Sequence, residues 1–306
     1  MLIHREVILA KVEATYNTDP TPSASTDAVL VQNPSLSFNA NYTDRTPVKP
    51  AIGKLQGIYG GKLAELSFDV LLRGSGTAGS VPEVSEMLQA CGMGETIVGA
   101  TSVTYAPAST AITSITLYYY QDGKLHKLTG ARGTFTATMT AGAPITLSFS
   151  FTGHHSDSDS AIASPTYDSV LPEPVVNGAF SVDSYSAIVA ELSFDMGVTV
   201  STPQSVSSAD GYGEVRVTDR NITGSFDPEE VVNATYDFLN KFETNANGAL
   251  TIGSIGATAG NIIDIDMPVV YYREIGQGDR DGIRTLSVGY GAAESSGDDE
   301  ISIAFT

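Results

Sequence analysis

Between residues 145 and 152 apolar and polar side chains alternate without a break. Ile145, Leu147, Phe149 and Phe151 fall on one side, and Thr146, Ser148, Ser150 and Thr152 on the other. A period of two sets the four apolar residues on one face of a β-strand. Ile115, Leu117 and Tyr119 alternate in the same way with Thr116, Tyr118 and Tyr120. Asp122-Gly123 follows, and this pair supplies the positive φ angles of a two-residue hairpin turn. The return strand runs through Leu125 and Leu128, so the pattern predicts an antiparallel meander.

Two stretches carry helical spacing instead. Ser80-Val81-Pro82-Glu83 has the form of a capping box with proline in the first turn; it predicts a short helix through Val84, Met87, Leu88 and Cys91, closed by Gly92. Asp227-Pro228-Glu229-Glu230 predicts a second, with Val231, Ala234, Phe238 and Phe242 on one face and Gly248 ending the passage.

These elements fall into two similar series. Leu36-Ser37-Phe38 returns as Leu192-Ser193-Phe194 and Ser67-Phe68-Asp69 as Ser225-Phe226-Asp227; Ser148-Phe149-Ser150-Phe151-Thr152 has a counterpart in Ser302-Ile303-Ala304-Phe305-Thr306. Shared order at nearly constant offset predicts one fold present twice. A helix follows the Ser-Phe-Asp strand in each half. The expected architecture is mainly β: two tandem sandwich or flattened-barrel repeats, each with one short flanking α-helix. The repeats are assigned to 1–160, including an N-terminal arm, and 161–306, with the boundary in the polar stretch from His154 to Pro165. Open sandwiches leave edge strands, and pairing those edges across subunits would build a ring-shaped sheet.

Composition sharpens this picture. A chain of 306 residues suits two domains, and 30 glycines with 42% hydrophobic residues suit short strands and tight turns. The single cysteine, Cys91, precludes an intrachain disulfide and reads as a buried small hydrophobe. Charges in the opening Met1-Leu2-Ile3-His4-Arg5-Glu6 interrupt any signal-peptide core, and no apolar run reaches membrane length. The expectation is an aqueous, cytoplasmic place of synthesis. With 35 acidic against 16 basic side chains the net charge is −19, which argues against gripping a phosphate backbone.

The chemistry on offer is thin. Gly74-Ser75-Gly76-Thr77-Ala78-Gly79 matches G-x-G-x-x-G, but a dinucleotide site needs a parallel βαβ unit and an antiparallel meander follows here. It reads as a flexible loop. His154-His155 with Asp157 and Asp159 lacks the spacing of a rigid metal site. Four histidines leave little for acid–base work, and no G-x-S-x-G elbow is present. Asp264 with Asp266, and Asp298-Asp299-Glu300, read as solvated faces in an acidic chain rather than as a glycosidase pair. In Tyr118 to Tyr120 and Tyr271-Tyr272 successive rings point to opposite faces, so neither makes a stacking platform. The residues call for no catalytic group, cofactor or metal.

Leu117-Tyr118-Tyr119-Tyr120-Gln121-Asp122-Gly123-Lys124-Leu125-His126-Lys127-Leu128-Thr129-Gly130-Ala131-Arg132-Gly133-Thr134, followed by Phe149-Ser150-Phe151-Thr152-Gly153, resembles the major tail tube proteins of siphophages, in particular a group infecting Gram-negative bacteria such as Pseudomonas. The opening Leu9-Ala10-Lys11-Val12-Glu13-Ala14-Thr15-Tyr16 with Thr18-Asp19-Pro20-Thr21-Pro22 is similar to that family's N-terminal arm. The resemblance implies a non-enzymatic virion protein, assembled in the host cytoplasm, that stacks as rings around a tape measure protein and serves as the conduit for DNA ejection. Implied partners are further copies of the chain, the tape measure protein, the tail terminator and the distal tail proteins. Viral DNA would pass without specific binding, and no membrane is involved. An acidic conduit suits that role, because wall charges act on phosphates only within a Debye length of about 8 Å and mainly prevent adhesion. Three chains, each with two repeats, would close one pseudo-hexameric ring. Expected contacts between rings are the loop Gly74, Ser75, Gly76, Thr77, Ala78, Gly79 and Ser80, the arm 12–26, and the stretch 153–164 with His154 and His155. The contrasting readings are a carbohydrate-binding β-sandwich, which needs an exposed aromatic platform or calcium loop, a hydrolase with paired carboxylates in a cleft, and a tail terminator or tail-tip protein on the same fold.

Overall fold

The computed structural model describes residue 2 and residues 4–306; Met1 and Ile3 of the charged opening lie outside the described residues. The chain begins with β1 (Glu6–Val12), β2 (Ala28–Val29), β3 (Gln32–Thr43) and β4 (Ile58–Leu71), then α1 (Ser85–Ala90). It continues through β5 (Met93–Val98), β6 (Ser102–Pro107), β7 (Ile115–Gln121), β8 (Lys124–Thr140) and β9 (Thr146–Asp159). Next come β10 (Ala179–Val182), β11 (Val189–Asp195), β12 (Thr199–Ser201), β13 (Arg216–Asp219) and β14 (Thr223–Pro228), then α2 (Phe238–Glu243). The last strands are β15 (Asn247–Ile255), β16 (Ile263–Arg280), β17 (Ile283–Ala292) and β18 (Ser302–Phe305).

The fold is mainly β, an open sheet of the sandwich or flattened-barrel kind. Its ladders between named strands are antiparallel. In the first half the strands lie side by side as β1-β7-β8-β9-β4-β3, and in the second as β10-β15-β16-β17-β14-β11. Ranked by position along the chain, both sets read first, fourth, fifth, sixth, third, second. Two of the three sequence anchors fall on matching strands of these sets, β3 with β11 and β4 with β14. The third falls on one flank of β8 and β16 but on different rows. Phe149 lies opposite Phe135 midway along β8, whereas Ile303 lies opposite Ile265 near the start of β16.

The halves share backbone ladders. β8 pairs with β11 from Thr136↔Asp195 to Thr140↔Glu191, and β18 is held between β16 and β6. Most of the buried apolar residues form one connected cluster drawn from both halves rather than a core for each. In it Phe135, Phe149 and Phe68 pack ring on ring, and Phe135 meets Phe194 of the second half edge to face at 6.1 Å. Each fully buried ring of this kind stabilises the fold by about 1.5–3 kcal/mol.

Asp122-Gly123 turns as expected, with φ of 25° and 109° and the ladder resuming at Gln121↔Lys124. Strand β7, however, is covered on both faces. Ile115, Leu117 and Tyr119 enter the main core, while Tyr118 joins Val7, Leu9, Ala28 and Leu125 in a second cluster against which Ile162, Ala163 and Tyr167 pack. The stretch expected to be a boundary therefore does structural work. β9 continues through His154 to Asp159, paired with β8, and the apolar residues just beyond it seal the second cluster.

Both helix starts need correction. Val84, Met87, Leu88 and Cys91 are fully buried as predicted, and Gly92 at φ 84° ends the segment. Yet α1 begins after Val84 with no side-chain cap, because Glu83 is engaged elsewhere: it accepts from the Arg73 guanidinium and from the Leu30 N–H at 2.8 Å. The second helix starts ten residues later than expected, at Asp237, whose carboxylate accepts from the Asn240 N–H at 2.9 Å. Asp227-Pro228 instead ends β14, where the Asp227 carboxylate accepts from the Ala190 and Glu191 N–H groups and from Arg280. Phe238 is buried, Phe242 is 37% exposed, and Gly248 lies inside β15 rather than ending the helix.

Candidate assembly surface

The expected contact residues are largely engaged within the chain. Gly74 is buried, and its N–H donates to Asn261 Oδ1 at 2.6 Å, while Asn261 Nδ2 donates to the Leu171 carbonyl at 3.1 Å. A Cβ at Gly74 would stand 2.0 Å from the Gly260 carbonyl oxygen, and one at Gly260 would stand 2.1 Å from the Thr77 nitrogen, so two glycine turns interlock where the halves meet. Ser75, Ala78 and Gly79 are half-buried in this packing; Gly76, Thr77 and Ser80 face outward.

His154 is 8% exposed, bonded through Nδ1 to Asp210 Oδ2 at 2.5 Å and through Nε2 to the Tyr16 hydroxyl at 3.1 Å. The arm is thereby tied down, since the Tyr16 hydroxyl also accepts from the Val215 N–H at 2.7 Å. His155 Nε2 lies 3.0 Å from His126 Nδ1, and its ring meets Phe38 edge-on at 4.8 Å. Burial beside the Lys62 charge pushes the His155 imidazole down to about 4.

The tyrosine triplet is engaged too. The Tyr118 hydroxyl donates to Asp19 at 2.5 Å and the Tyr119 hydroxyl to Glu6 at 2.7 Å. Asp264 accepts from the Ser254 N–H at 2.6 Å, and burial followed by the Asp264 charge raises the Asp266 carboxyl above its usual range. Among the described residues no group of three or more His, Cys, Asp or Glu side chains is placed to hold a metal, and no helix is long and apolar enough to cross a membrane.

One cluster missed by the sequence reading is Arg132. From β8 its guanidinium donates to the carbonyls of Val215, Ile112 and Thr113 at 2.5, 3.0 and 3.2 Å and to Glu214 Oε1 at 2.9 Å, joining the halves. An arginine set among the small and polar residues Gly130, Ala131, Gly133 and Thr134 was the available signal.

What lies open is backbone. Strand β3 pairs with β4 along one side only, among the described residues, and its Phe38 is 46% exposed. On β16 the β15 ladder stops at Tyr271, so residues 272–280 carry β17 on one flank and, among the described residues, no paired strand on the other. Past β3 the segment 44–57 projects with Val48 and Ile52 fully exposed. Exposed edges of this kind are templates for a further strand.

A cleft of 450 Å³ beside α1 is lined by Asp27, Glu83, Glu86 and Tyr167. Burial, with the Asp27 charge adding, pushes the Glu86 carboxyl up to about 7. A raised folded-state pKa means the folded chain holds a proton that the unfolded chain releases. Stability from this group is complete below the unfolded value of about 4.5 and is lost as pH rises through about 7. Glu86→Gln is expected to stabilise the protein at pH 8 by about 1–2 kcal/mol, after discounting for partial exposure, and to be neutral at pH 4. Urea titrations of both proteins at the two pH values check this; equal differences at both would contradict it.

No curated protein matches the chain. A family model described as phage tail tube protein matches residues 4–305.

Proposed function

Since the chain belongs to the phage tail tube protein family, we propose that its copies close into rings, that the rings stack into the tube of a long-tailed phage, and that this tube is the conduit for DNA ejection. The observation that carries the reading is that two of the sheet's open edges are long and unlike, β3 on one flank and the far half of β16 on the other. A head-to-tail interface between unlike edges generates a ring when the rotation closes. The equal strand order of the halves supports tandem copies of one tube unit, 1–160 and 161–306, so three chains supply six positions. The projecting segment 44–57, with its solvent-facing Val48 and Ile52, is the contact proposed between stacked rings, together with the outward-facing Gly76, Thr77 and Ser80. A net charge of −19 suits a wall that DNA must slide past, with the tape measure protein in the lumen until ejection and terminator and distal tail proteins at the two ends.

Negative-stain electron microscopy of the purified chain over a concentration series, and of native virions, tests the reading. Rings of three-fold symmetry with a central channel, stacking into tubes, are the expected result. A monomer persisting at every concentration, with tails that lack this chain, would overturn it.

A further inference from the structure

We infer that the joint between neighbouring copies is an antiparallel ladder between β3 of one chain and residues 272–280 of β16 of the next, and that the ladder between β8 and β11 inside each chain is its template. This rests on the assembly reading above and specifies which edges meet.

In the strand order common to both halves, β11 holds the place of β3 and β16 the place of β8. Inside the chain β7 leaves β8 at Ala131, and β11 then occupies that same flank from Thr136 to Thr140. In the second half β15 leaves β16 at Tyr271, and the flank it vacates is the open one. The equivalent of β11 for that flank is β3, whose own outer edge is open and lies on the far side of the chain. One chain therefore carries one completed joint and the two unlike halves of another, as a head-to-tail ring requires.

Sequence supports the exchange. Leu192 and Phe194 of β11 face the core opposite Met139 and Ala137, and β3 repeats their Leu-Ser-Phe as Leu36, Ser37 and Phe38. Partly buried Leu36 and exposed Phe38 are the residues a strand laid beside β3 would cover. On β16 the matching face presents Ile275, Gln277 and Asp279, and the opposite face presents Gly276 and Gly278. The joint between chains is thus more polar than the one within, which suits a contact made after folding.

Parity fixes which faces meet. Ser67 and Ser225 lie opposite Ser150 and Gly289, which lie opposite Thr134 and Glu274, so Gly276 holds the place of Thr136, the partner of Asp195. The anchor offsets of 156 and 158 then set Asn39 or Ser37 opposite Gly276, and Asn41 is the next residue along that outer face. A Cβ at Gly276 meets nothing closer than the Ser287 Cβ at 3.7 Å, and Asn39 is exposed, so cysteines fit both positions. Cys91 is buried, which keeps the background low.

The test combines Gly276→Cys in the full-length chain with Ser37→Cys, Asn39→Cys or Asn41→Cys in turn, assembles and mildly oxidises each, and resolves the products on non-reducing gels. Asn39→Cys with Ser287→Cys is the control, because Ser287 lies on β17, one strand beyond Gly276. One of the three pairs is expected to give a covalent ladder, about tenfold above the control, whose cysteines would sit about 10 Å apart, beyond the span of a disulfide. Unchanged melting of the reduced variants confirms that each folds. Rings or tubes in the micrographs with no pair exceeding the control would overturn this joint and leave the assembly reading intact. No rings or tubes from any sample, wild type included, would overturn both.

Discussion

Replacing Arg132 by methionine is expected to lower the unfolding free energy by about 3–5 kcal/mol, because three backbone carbonyls lose their donor at about 1–3 kcal/mol each. The Arg132 side chain is 11% exposed, whereas that of Glu214 is 34% exposed and keeps Arg216 as a second partner, so loss of the ion pair itself adds little. The guanidinium also caps the carbonyls of Ile112, Thr113 and Val215, and it lies 5.4 Å from the Tyr16 ring centre. Methionine fills similar volume and answers none of those oxygens, which then stay buried without donors. Lysine restores the charge but not the planar fork, so Arg132→Lys belongs between the two. The readout is chemical denaturation at pH 7, with a fall in melting temperature of roughly 5–10 °C for a chain of this size. The Arg132 hydrogen bond also holds the Glu214 carboxyl below its usual range. A depressed pKa gives stability that is present above the unfolded value and lost as pH falls through the folded one. The gap between wild type and Arg132→Met is therefore expected to narrow in acid. Wild-type stability in Arg132→Met would show that this contact does not hold the halves together. By contrast Lys124 and Asp157, at 37% and 42% side-chain exposure, form a solvent-screened ion pair whose removal is expected to leave the unfolding midpoint unchanged.

The strands of the meander were legible because their apolar alternation is local, as in Ile145 to Phe151 and at the Asp122-Gly123 turn. What failed depended on partners far along the chain. Asp227-Pro228-Glu229 has the form of a helix start, but the Asp227 carboxylate serves N–H groups of Ala190 and Glu191 and the Arg280 guanidinium. Glu83 likewise fits a capping box and is drawn to Arg73 instead. His154 to Asp159 lost its hydrophobic rhythm and reads as a linker, although backbone pairing with β8 keeps it in the sheet. The glycines of 74–79 promised freedom. At Gly74 the structure uses the absent side chain for close approach to Gly260, a partner 186 positions away that no local pattern reveals. Edges are harder still, since an unpaired flank is defined by a neighbour that another strand fails to provide. The open β16 flank shows only after β15 is seen to stop at Tyr271.

That flank sets the second large effect: Phe38→Glu is expected to abolish ring closure while leaving the subunit folded. In its own chain Phe38 is 46% exposed, with Lys62 Nζ 4.6 Å from the ring centre and His155 at its edge. Losing contacts at such an exposed site costs about 0.5–1 kcal/mol. In the proposed joint the same side chain is covered by the face of the next copy that carries Ile275, Gln277 and Asp279. A carboxylate there is desolvated beside Asp279, and like charges across a ladder repel. Every added copy repeats the penalty, so even a modest cost per joint removes the ring. Sedimentation velocity is expected to show a monomer at concentrations where wild type forms rings, with melting nearly unchanged, and Phe38→Leu is expected to assemble. Rings formed by Phe38→Glu as readily as by wild type would mean that β3 lies outside the joint. The unlike edges add a sharper consequence. Phe38→Glu keeps its β16 edge intact, so it can still receive the β3 of a wild-type copy but cannot offer its own. Added in small proportion, it is expected to leave open arcs in place of closed rings, an outcome that a joint between identical edges would not give.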